Sequence, residues 1–180
     1  MASKELPFER GTTWDSGSFG AVPANLVGST YEDTDGTVLQ IVKNTNGTVL
    51  NGCRVVKWET NDADQKEVDL PVNDFETRLA GIVDHVYANK GVTVPINALF
   101  YVVKKGLTHC IAGVTTIAAA DNIVVDSGAS DGVRGRVQDI VLANVSGAAA
   151  TALKLYGAVV GKAIGTQASV GKSVAVLVNL

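Results

Sequence analysis

The chain has few of the residues on which most chemical functions depend. Its 180 residues include two histidines, two cysteines and one methionine, and 15 Lys and Arg against 18 Asp and Glu leave a net charge of −3. A nucleic-acid-binding face needs clustered Lys and Arg, so we expect no nucleic-acid partner. No run reaches the roughly 18–20 apolar residues of a membrane-spanning helix, so we expect no membrane partner either.

The motifs of common enzymes and metal sites are also missing. Neither a Walker motif nor a dinucleotide fingerprint occurs, and the one Gly-x-Ser-x-Gly match, residues 128–132, falls in a predicted loop. Zinc needs three or four convergent ligands, whereas His85 and His109 each have one potential ligand beside them in sequence. In a strand such adjacent side chains point to opposite faces. We therefore expect no catalytic residue, no cofactor and no metal.

Cysteines and charges are unevenly placed. Cys53 and Cys110 lie far apart, and without a secretory leader we expect two reduced, buried thiols rather than a disulfide. Up to Lys90 there are 14 acids and 8 bases, a net charge of −6, and the remainder has 4 acids and 7 bases, a net charge of +3. This asymmetry would favour head-to-tail contacts with copies or partners, unless it only reflects exposed loops.

One segment contains a cluster of five carboxylates, Glu59, Asp62, Asp64, Glu67 and Asp69. Such a cluster is consistent with a calcium site or with a solvated acidic loop, and we favour the loop.

Short apolar runs separated by glycine-containing turns dominate the rest of the chain. Residues 37–43 predict a strand, and Asn-Thr-Asn-Gly predicts a turn into a returning strand that ends at Trp58. Residues 77–84 and 92–95 predict two strands around a turn at 87–91, with Pro95 at an edge or an end. Residues 98–105 and 107–111 predict a hairpin about Gly106.

The C-terminal third predicts a further pair of strands. Residues 121–126 form a short strand candidate, 133–142 alternate moderately, and 159–165 and 172–180 predict two strands joined by a turn. Residues 144–153 are rich in Ala and predict either the one helix or a small-residue loop. The chain is therefore expected to be all-β, a compact β-sandwich or β-barrel of short antiparallel strands.

The first 30 residues differ from the rest and have no clear period. We expect an extended N-terminal arm or strap over residues 1–30 and a β-rich globular domain over 31–180. Large aromatic residues among Gly, Ser and Pro would be unfavourable in water, which favours a strap lying on another surface. The candidate partner-binding anchors are Phe8, Trp14 and Phe19.

One segment resembles an enzyme motif. Residues 80–87, followed by Gly91, are similar to the nucleoside-binding motif of trimeric dUTP pyrophosphatases, in which an Asp activates water and a Tyr supports the sugar. The resemblance would give these roles to Asp84 and Tyr87. The spacing from Tyr to Gly is too long and the family's other motifs are absent, so we favour a structural role for both residues.

Three segments taken in order resemble capsid decoration, or cement, proteins of tailed bacteriophages. They are residues 36–56, with a strand, an Asn-x-x-Gly turn and Val-Val; residues 98–110, with a Phe/Tyr strand and Lys-Gly; and the closing Val-Gly-Lys-Ala-Ile-Gly with the terminal Val-Ala-Val-Leu-Val. The resemblance implies a structural virion protein, made in the bacterial host cytoplasm, that binds the outer surface of an icosahedral head. There it would bridge major capsid protein subunits and self-associate as a homotrimer. Another β-rich virion module, of tail or fibre, is the alternative.

Overall fold

The regular secondary structure of the described residues is almost all strand, with one short helix. The computed structural model describes residues 6–15, 25–72, 77–114, 116–126, 134–139 and 159–180. The all-β expectation is confirmed, and within these ranges no helix is long and apolar enough to cross a membrane. The elements are β1 (Thr30–Glu32), β2 (Val38–Asn44), β3 (Leu50–Asn51), β4 (Val55–Trp58), β5 (Glu67–Asp69), β6 (Leu79–Val83), α1 (His85–Asn89), β7 (Thr93–Val94), β8 (Leu99–Ile111), β9 (Asn122–Asp126), β10 (Arg136–Asp139), β11 (Val159–Ala163) and β12 (Ser173–Asn179).

The first half of the chain closes into a five-stranded barrel. Strand β2 pairs in parallel with β5, and antiparallel pairings β5–β4, β4–β6, β6–β8 and β8–β2 complete the ring. Strand β1 pairs with β2 as an outer strand. Closure removes most free edges, which would otherwise template pairing with other chains. The core cluster of this half of the chain is rich in large side chains, among them Leu39, Ile41, Tyr87, Phe100 and Tyr101.

A second ring of strands follows from the other end of β8. Here β8 pairs with β12, β12 with β11, β11 with β9, and β9 with β10. The ring returns to β8 through a single parallel bridge between Ala112 and Val137. A second cluster of small and branched aliphatic residues fills this region, among them Ile117, Ile123, Val125, Val160 and Val176. Strands β4 and β6 of the first barrel contribute Val55, Leu79 and Ile82 to the same cluster, so the two rings pack against each other.

Strand β8 belongs to both rings, which corrects the predicted hairpin about Gly106. Residues 99–105 pair with β2 and residues 105–111 with β12, so both halves find partners without folding back on each other. Gly106 has φ +113°, and a Cβ there would lie 2.9 Å from the Thr37 hydroxyl oxygen. The glycine thus permits a distorted but continuous strand instead of a turn.

The predicted hairpin over residues 37–58 is also wrong in its pairing. The strand itself is confirmed as β2, but β2 pairs with β1, β5 and β8, whereas β3 pairs with β7 in a separate two-stranded sheet. The buried Asn44 amide donates to the carbonyls of Thr48, Val94 and Pro95 and so joins the barrel to this small sheet. Pro95 follows β7 directly, as predicted for the end of a strand.

Two other predictions have different outcomes: the C-terminal pair of strands is confirmed, and the turn at 87–91 is partly wrong. The C-terminal strands β11 and β12 are confirmed as an antiparallel pair. The predicted turn at 87–91 is wrong at its start, because α1 occupies residues 85–89, with Asp84 as its N-cap accepting from the Val86 N–H. The expected strands at 77–84 and 92–95 are present as β6 and β7 but do not pair with each other. The Ala-rich segment 144–153 lies outside the described residues.

Candidate functional site

Two of the three candidate anchors lie on the chain's own first barrel. Of the predicted arm or strap over residues 1–30, the structure describes residues 6–15 and 25–30. From here on, the arm means residues 6–15. Phe8 stacks on Tyr101 with ring centroids 4.4 Å apart and meets Trp14 edge-on at 6.1 Å. Trp14 exchanges two backbone hydrogen bonds with Leu99, of 3.0 and 2.7 Å, and so pairs in antiparallel orientation with the start of β8. Both aromatic side chains are half-buried against the core, and Phe19 lies outside the described residues.

Two buried tyrosines hold the backbone of the arm. The Tyr101 hydroxyl donates to the Phe8 carbonyl at 2.8 Å, and the Tyr87 hydroxyl donates to the Thr12 carbonyl at 2.7 Å. Tyr87 also accepts a hydrogen bond of 3.1 Å from the Tyr101 N–H. Burial raises the pKa of both phenols well above the usual value of 10, so they remain neutral donors. The two tyrosine hydroxyls thus give the Phe8 and Thr12 carbonyls hydrogen-bond partners and attach the arm to the barrel.

An ion pair fixes the middle of the arm. Arg10 binds Asp84 through Nε at 2.7 Å and a terminal nitrogen at 3.0 Å, and its other nitrogen binds Asp33 at 2.8 Å. The Asp84 side chain is fully buried and that of Arg10 is 17% exposed. Two parallel N–H···O bonds to one carboxylate are the strong form of this interaction. Among the described residues, this is the most buried ion pair between the arm and the barrel.

The surroundings of Asp84 favour its charged form. Burial alone would raise the pKa of this carboxyl, but hydrogen bonds from His85 and Arg10, the charge of Arg10 and the Val86 N–H outweigh it and lower the pKa to about 2. The same contacts raise the pKa of the Arg10 guanidinium, with its hydrogen bond to Asp84 as the largest cause. At neutral pH both groups are therefore ionised.

Close packing leaves little room between the arm and α1. Gly11 has φ +78°, and a Cβ at this position would lie 2.7 Å from a Val86 methyl carbon. Lys90, just past α1, donates to Glu9 at 2.6 Å and to the Arg10 carbonyl at 2.8 Å. The glycine therefore permits both the turn of the arm and its approach to the helix.

The two residues of the dUTP-pyrophosphatase-like motif hold the arm. A carboxylate that activates a water must be within reach of it, whereas Asp84 is fully buried and bonded to Arg10. Tyr87 is also fully buried, with its hydroxyl bonded to Thr12 and Tyr101. The geometry therefore agrees with the structural role that the sequence favoured for this segment.

The thiols and imidazoles meet near a shallow cavity. Cys53 and Cys110 are both buried free thiols, as expected, and burial raises the pKa of Cys53 to about 11, which disfavours the reactive thiolate. The His85 and His109 rings lie 5.2 Å apart, and with Cys53 they line a cavity of about 290 Å³. Among the described residues, no group of three or more His, Cys, Asp or Glu side chains is arranged to hold a metal.

The acidic segment is occupied by local contacts. Glu67 pairs with Lys43 at 3.0 Å, Asp64 pairs with Lys66 at 3.3 Å, and Asp62 accepts from the backbone N–H groups of residues 66 and 67. These carboxylates do not converge on one point. Glu67 and Asp69 lie on β5, so the loop interpretation holds for residues 59–66 and is wrong for these two residues.

Sequence reasoning missed the residues that hold the arm. Arg10 lies between two predicted anchors, and a lone cation in an aromatic segment was the available signal for a buried acidic partner. That partner is 74 residues away in sequence. Asp33 and Tyr101 gave no signal, since nothing in their local patterns marks contact with residues 6–15.

Comparison with solved structures gives a likeness in fold. Neither a protein-family model nor a curated protein matches the sequence. The fold is similar to the crystal structure of the N base of the head fiber gp8.5 of bacteriophage phi29. The TM-score is 0.46 and the identity 12%, over 78% of this chain and 94% of that chain. A likeness at this level supports no statement about function.

Proposed function

We propose that this chain is a structural virion protein that binds the outer surface of an icosahedral phage head and stabilises contacts between major capsid subunits. It is made in the host cytoplasm, self-associates as a homotrimer and has no catalytic role. The three sequence segments that resemble decoration proteins support the proposal. They coincide with β2 to β4, with β8 and with β11 to β12, and therefore with strands of both rings.

The preformed arm is the observation that carries the proposal. A disordered strap would lose conformational entropy when it bound a capsid, which reduces the net affinity. Here the arm is already ordered by Arg10, Tyr87 and Tyr101, while Phe8 and Trp14 keep part of their ring surfaces accessible. A rigid body with partly exposed aromatic residues is suited to binding a fixed lattice, because the ordering has been completed during folding.

Stabilisation of the head follows from mass action. A protein that binds the assembled lattice but not its separated subunits shifts the equilibrium toward the lattice. Many identical sites on one head add their effects, and self-association of the bound copies raises the effective concentration of each. We expect heads with the protein bound to withstand higher temperature than bare heads.

Binding to purified heads tests the proposal. The wild-type chain should co-sediment with heads and raise their disruption temperature, and replacement of Phe8, Trp14 and Phe19 together by Ala should lower its occupancy. Because two of these side chains contact the core, far-UV circular dichroism must show that the variant is folded. A matched control is Val49→Ala, an exposed apolar residue outside the arm.

The outcomes separate the parts of the proposal. Absence of the wild-type protein from heads would contradict the capsid-binding function, and its localisation to tails or fibres would support the alternative virion module. Unchanged occupancy of the folded triple variant would show that another surface makes the capsid contact.

A further inference from the structure

The two histidines of the chain meet where the two rings join. His85 begins α1, and His109 lies on the part of β8 that pairs with β12, opposite Ala175. Their ring centroids are 5.2 Å apart and the ring planes are tilted by 58°. Both rings line the cavity of about 290 Å³, and the His85 side chain is 25% exposed, so the pair is open to solvent.

The neighbours of His85 fix its tautomer. Its Nδ1 lies 3.3 Å from a carboxylate oxygen of Asp84 and 3.2 Å from the Thr108 hydroxyl. The Asp84 carboxylate is ion-paired with Arg10 and only accepts hydrogen bonds, so Nδ1 carries the proton. Nε2 keeps its lone pair, which is the form of imidazole that binds metal ions. Donation from the other ring nitrogen to a carboxylate is the usual arrangement of a histidine ligand.

The rest of the cavity suits an ion that also keeps water ligands. Within the described residues no third His, Cys, Asp or Glu converges with the two imidazoles, so the chain supplies two ligands. Asn89 and Ser173 line the same cavity and offer hydrogen bonds to bound water. Lys172 also lines it, and its charge repels a cation. The site is therefore an open one of limited affinity.

We propose that His85 and His109 together bind a divalent transition-metal ion of the class of Ni²⁺, Cu²⁺ and Zn²⁺, with water in the remaining positions. Imidazole nitrogen suits these ions, whereas Ca²⁺ and Mg²⁺ prefer oxygen ligands. The proposal does not depend on the proposed capsid function.

The bound ion links two parts of the fold. His85 belongs to the helix that packs against the arm, and His109 belongs to the strand that both rings share. Folding brings the two rings together, and the unfolded chain does not hold them at this separation. An ion that binds the folded chain in preference to the unfolded one stabilises it.

Calorimetric titration of the full chain, without a histidine tag, with Ni²⁺ tests the site. We expect one Ni²⁺ per chain, a weaker affinity for Mn²⁺ and no binding of Ca²⁺, which is the order that nitrogen ligands give. His109→Ala and His85→Gln should each raise the Kd for Ni²⁺ at least about tenfold. Lys172→Gln should lower it about threefold, because it removes the repelling charge and adds no imidazole.

The control is Asp64→Asn, which removes an exposed carboxylate outside the cavity and should leave the affinity for Ni²⁺ unchanged. Ni²⁺ should also raise the thermal midpoint of the wild type and not that of His109→Ala. Far-UV circular dichroism checks folding. The His109 ring makes no hydrogen bond among the described residues, so this variant decides the test if His85→Gln is unfolded. Failure of millimolar Ni²⁺ to bind, equal affinity of wild type and folded His109→Ala, or Ca²⁺ binding as tight as that of Ni²⁺ would each overturn the proposal.

Discussion

The two rings share a strand but are stabilised by different kinds of side chain. The first core cluster contains Tyr31, Trp58, Tyr87, Phe100 and Tyr101, whereas the second cluster, which lies between the second ring and strands β4 and β6, is aliphatic apart from Cys110. Most of the buried polar residues also belong to the first barrel and its loops. Buried Tyr and Trp side chains need hydrogen-bond partners for their polar atoms, whereas small aliphatic side chains need only close packing.

This difference explains where each half makes its contacts. The tyrosines and Asp84 of the first barrel use their polar atoms to fix the arm. The second ring has no described arm against it and carries exposed apolar side chains instead, among them Leu107, Ile164 and Leu177. Specific polar bonds thus order the chain internally on one side, and an apolar surface remains available on the other.

The largest expected effect tests whether the first barrel depends on its ion pair. Arg10→Met leaves the buried Asp84 carboxylate without its main partner, and we expect a loss of about 3 kcal/mol in the free energy of unfolding. Urea denaturation followed by circular dichroism measures it. The control is Glu9→Gln, which breaks an exposed pair with Lys90 and should cost less than about 0.5 kcal/mol. Equal effects would show that burial of the ion pair does not matter.

Acid should weaken the first barrel through the same carboxylate. The pKa of Asp84 falls from 3.8 to about 2 on folding, so its contribution is complete above pH 4 and is lost as the pH falls toward 2. The loss should be about 2 kcal/mol at the lower end. Urea midpoints measured between pH 5 and pH 2 test this.

The matched variant for this prediction is Asp84→Asn, which removes the titrating group. It should be less stable at pH 7 but should decline less steeply between pH 4 and pH 2. A wild type and a variant with parallel profiles would assign the acid sensitivity to other carboxylates.

A smaller effect tests the junction between the rings. Gly106→Ala forces a side chain into a left-handed backbone and within 2.9 Å of the Thr37 hydroxyl, and we expect a loss of about 1.5 kcal/mol. The control is Gly47→Ala, where open space surrounds the new carbon. Thermal unfolding of both variants measures the difference. Similar midpoints would show that β8 adapts freely between the two rings.

Local patterns predicted the strands better than their partners. The alternation at 173–179 was sufficient to identify β12, and the apolar run at 38–44 identified β2. Gly106 was misread because a glycine between two apolar runs fits a turn and a distorted strand equally well. The choice depended on β2 and β12, which lie far away in sequence on either side of β8.

The sequence predicted which residues of the arm would pack against a surface, but it did not predict which residues they would contact. The aromatic residues of the arm marked it as a segment that would pack against something, and Phe8 and Trp14 do so against their own barrel. The partner was not visible, because Arg10 and Asp84 are separated by 74 residues. A capsid contact for the remaining exposed surface of these residues stays a prediction.

The sequence by itself determined that the chain is built from short strands, since the period of two and the turn residues act within a few positions. Only the tertiary structure decided that two rings form, that β8 runs through both, and that the arm is bonded to Asp84. Those features depend on which distant segments pair once the two cores are packed. A strand contains no local record of its neighbour, because the same backbone groups can pair with any edge that packing brings near.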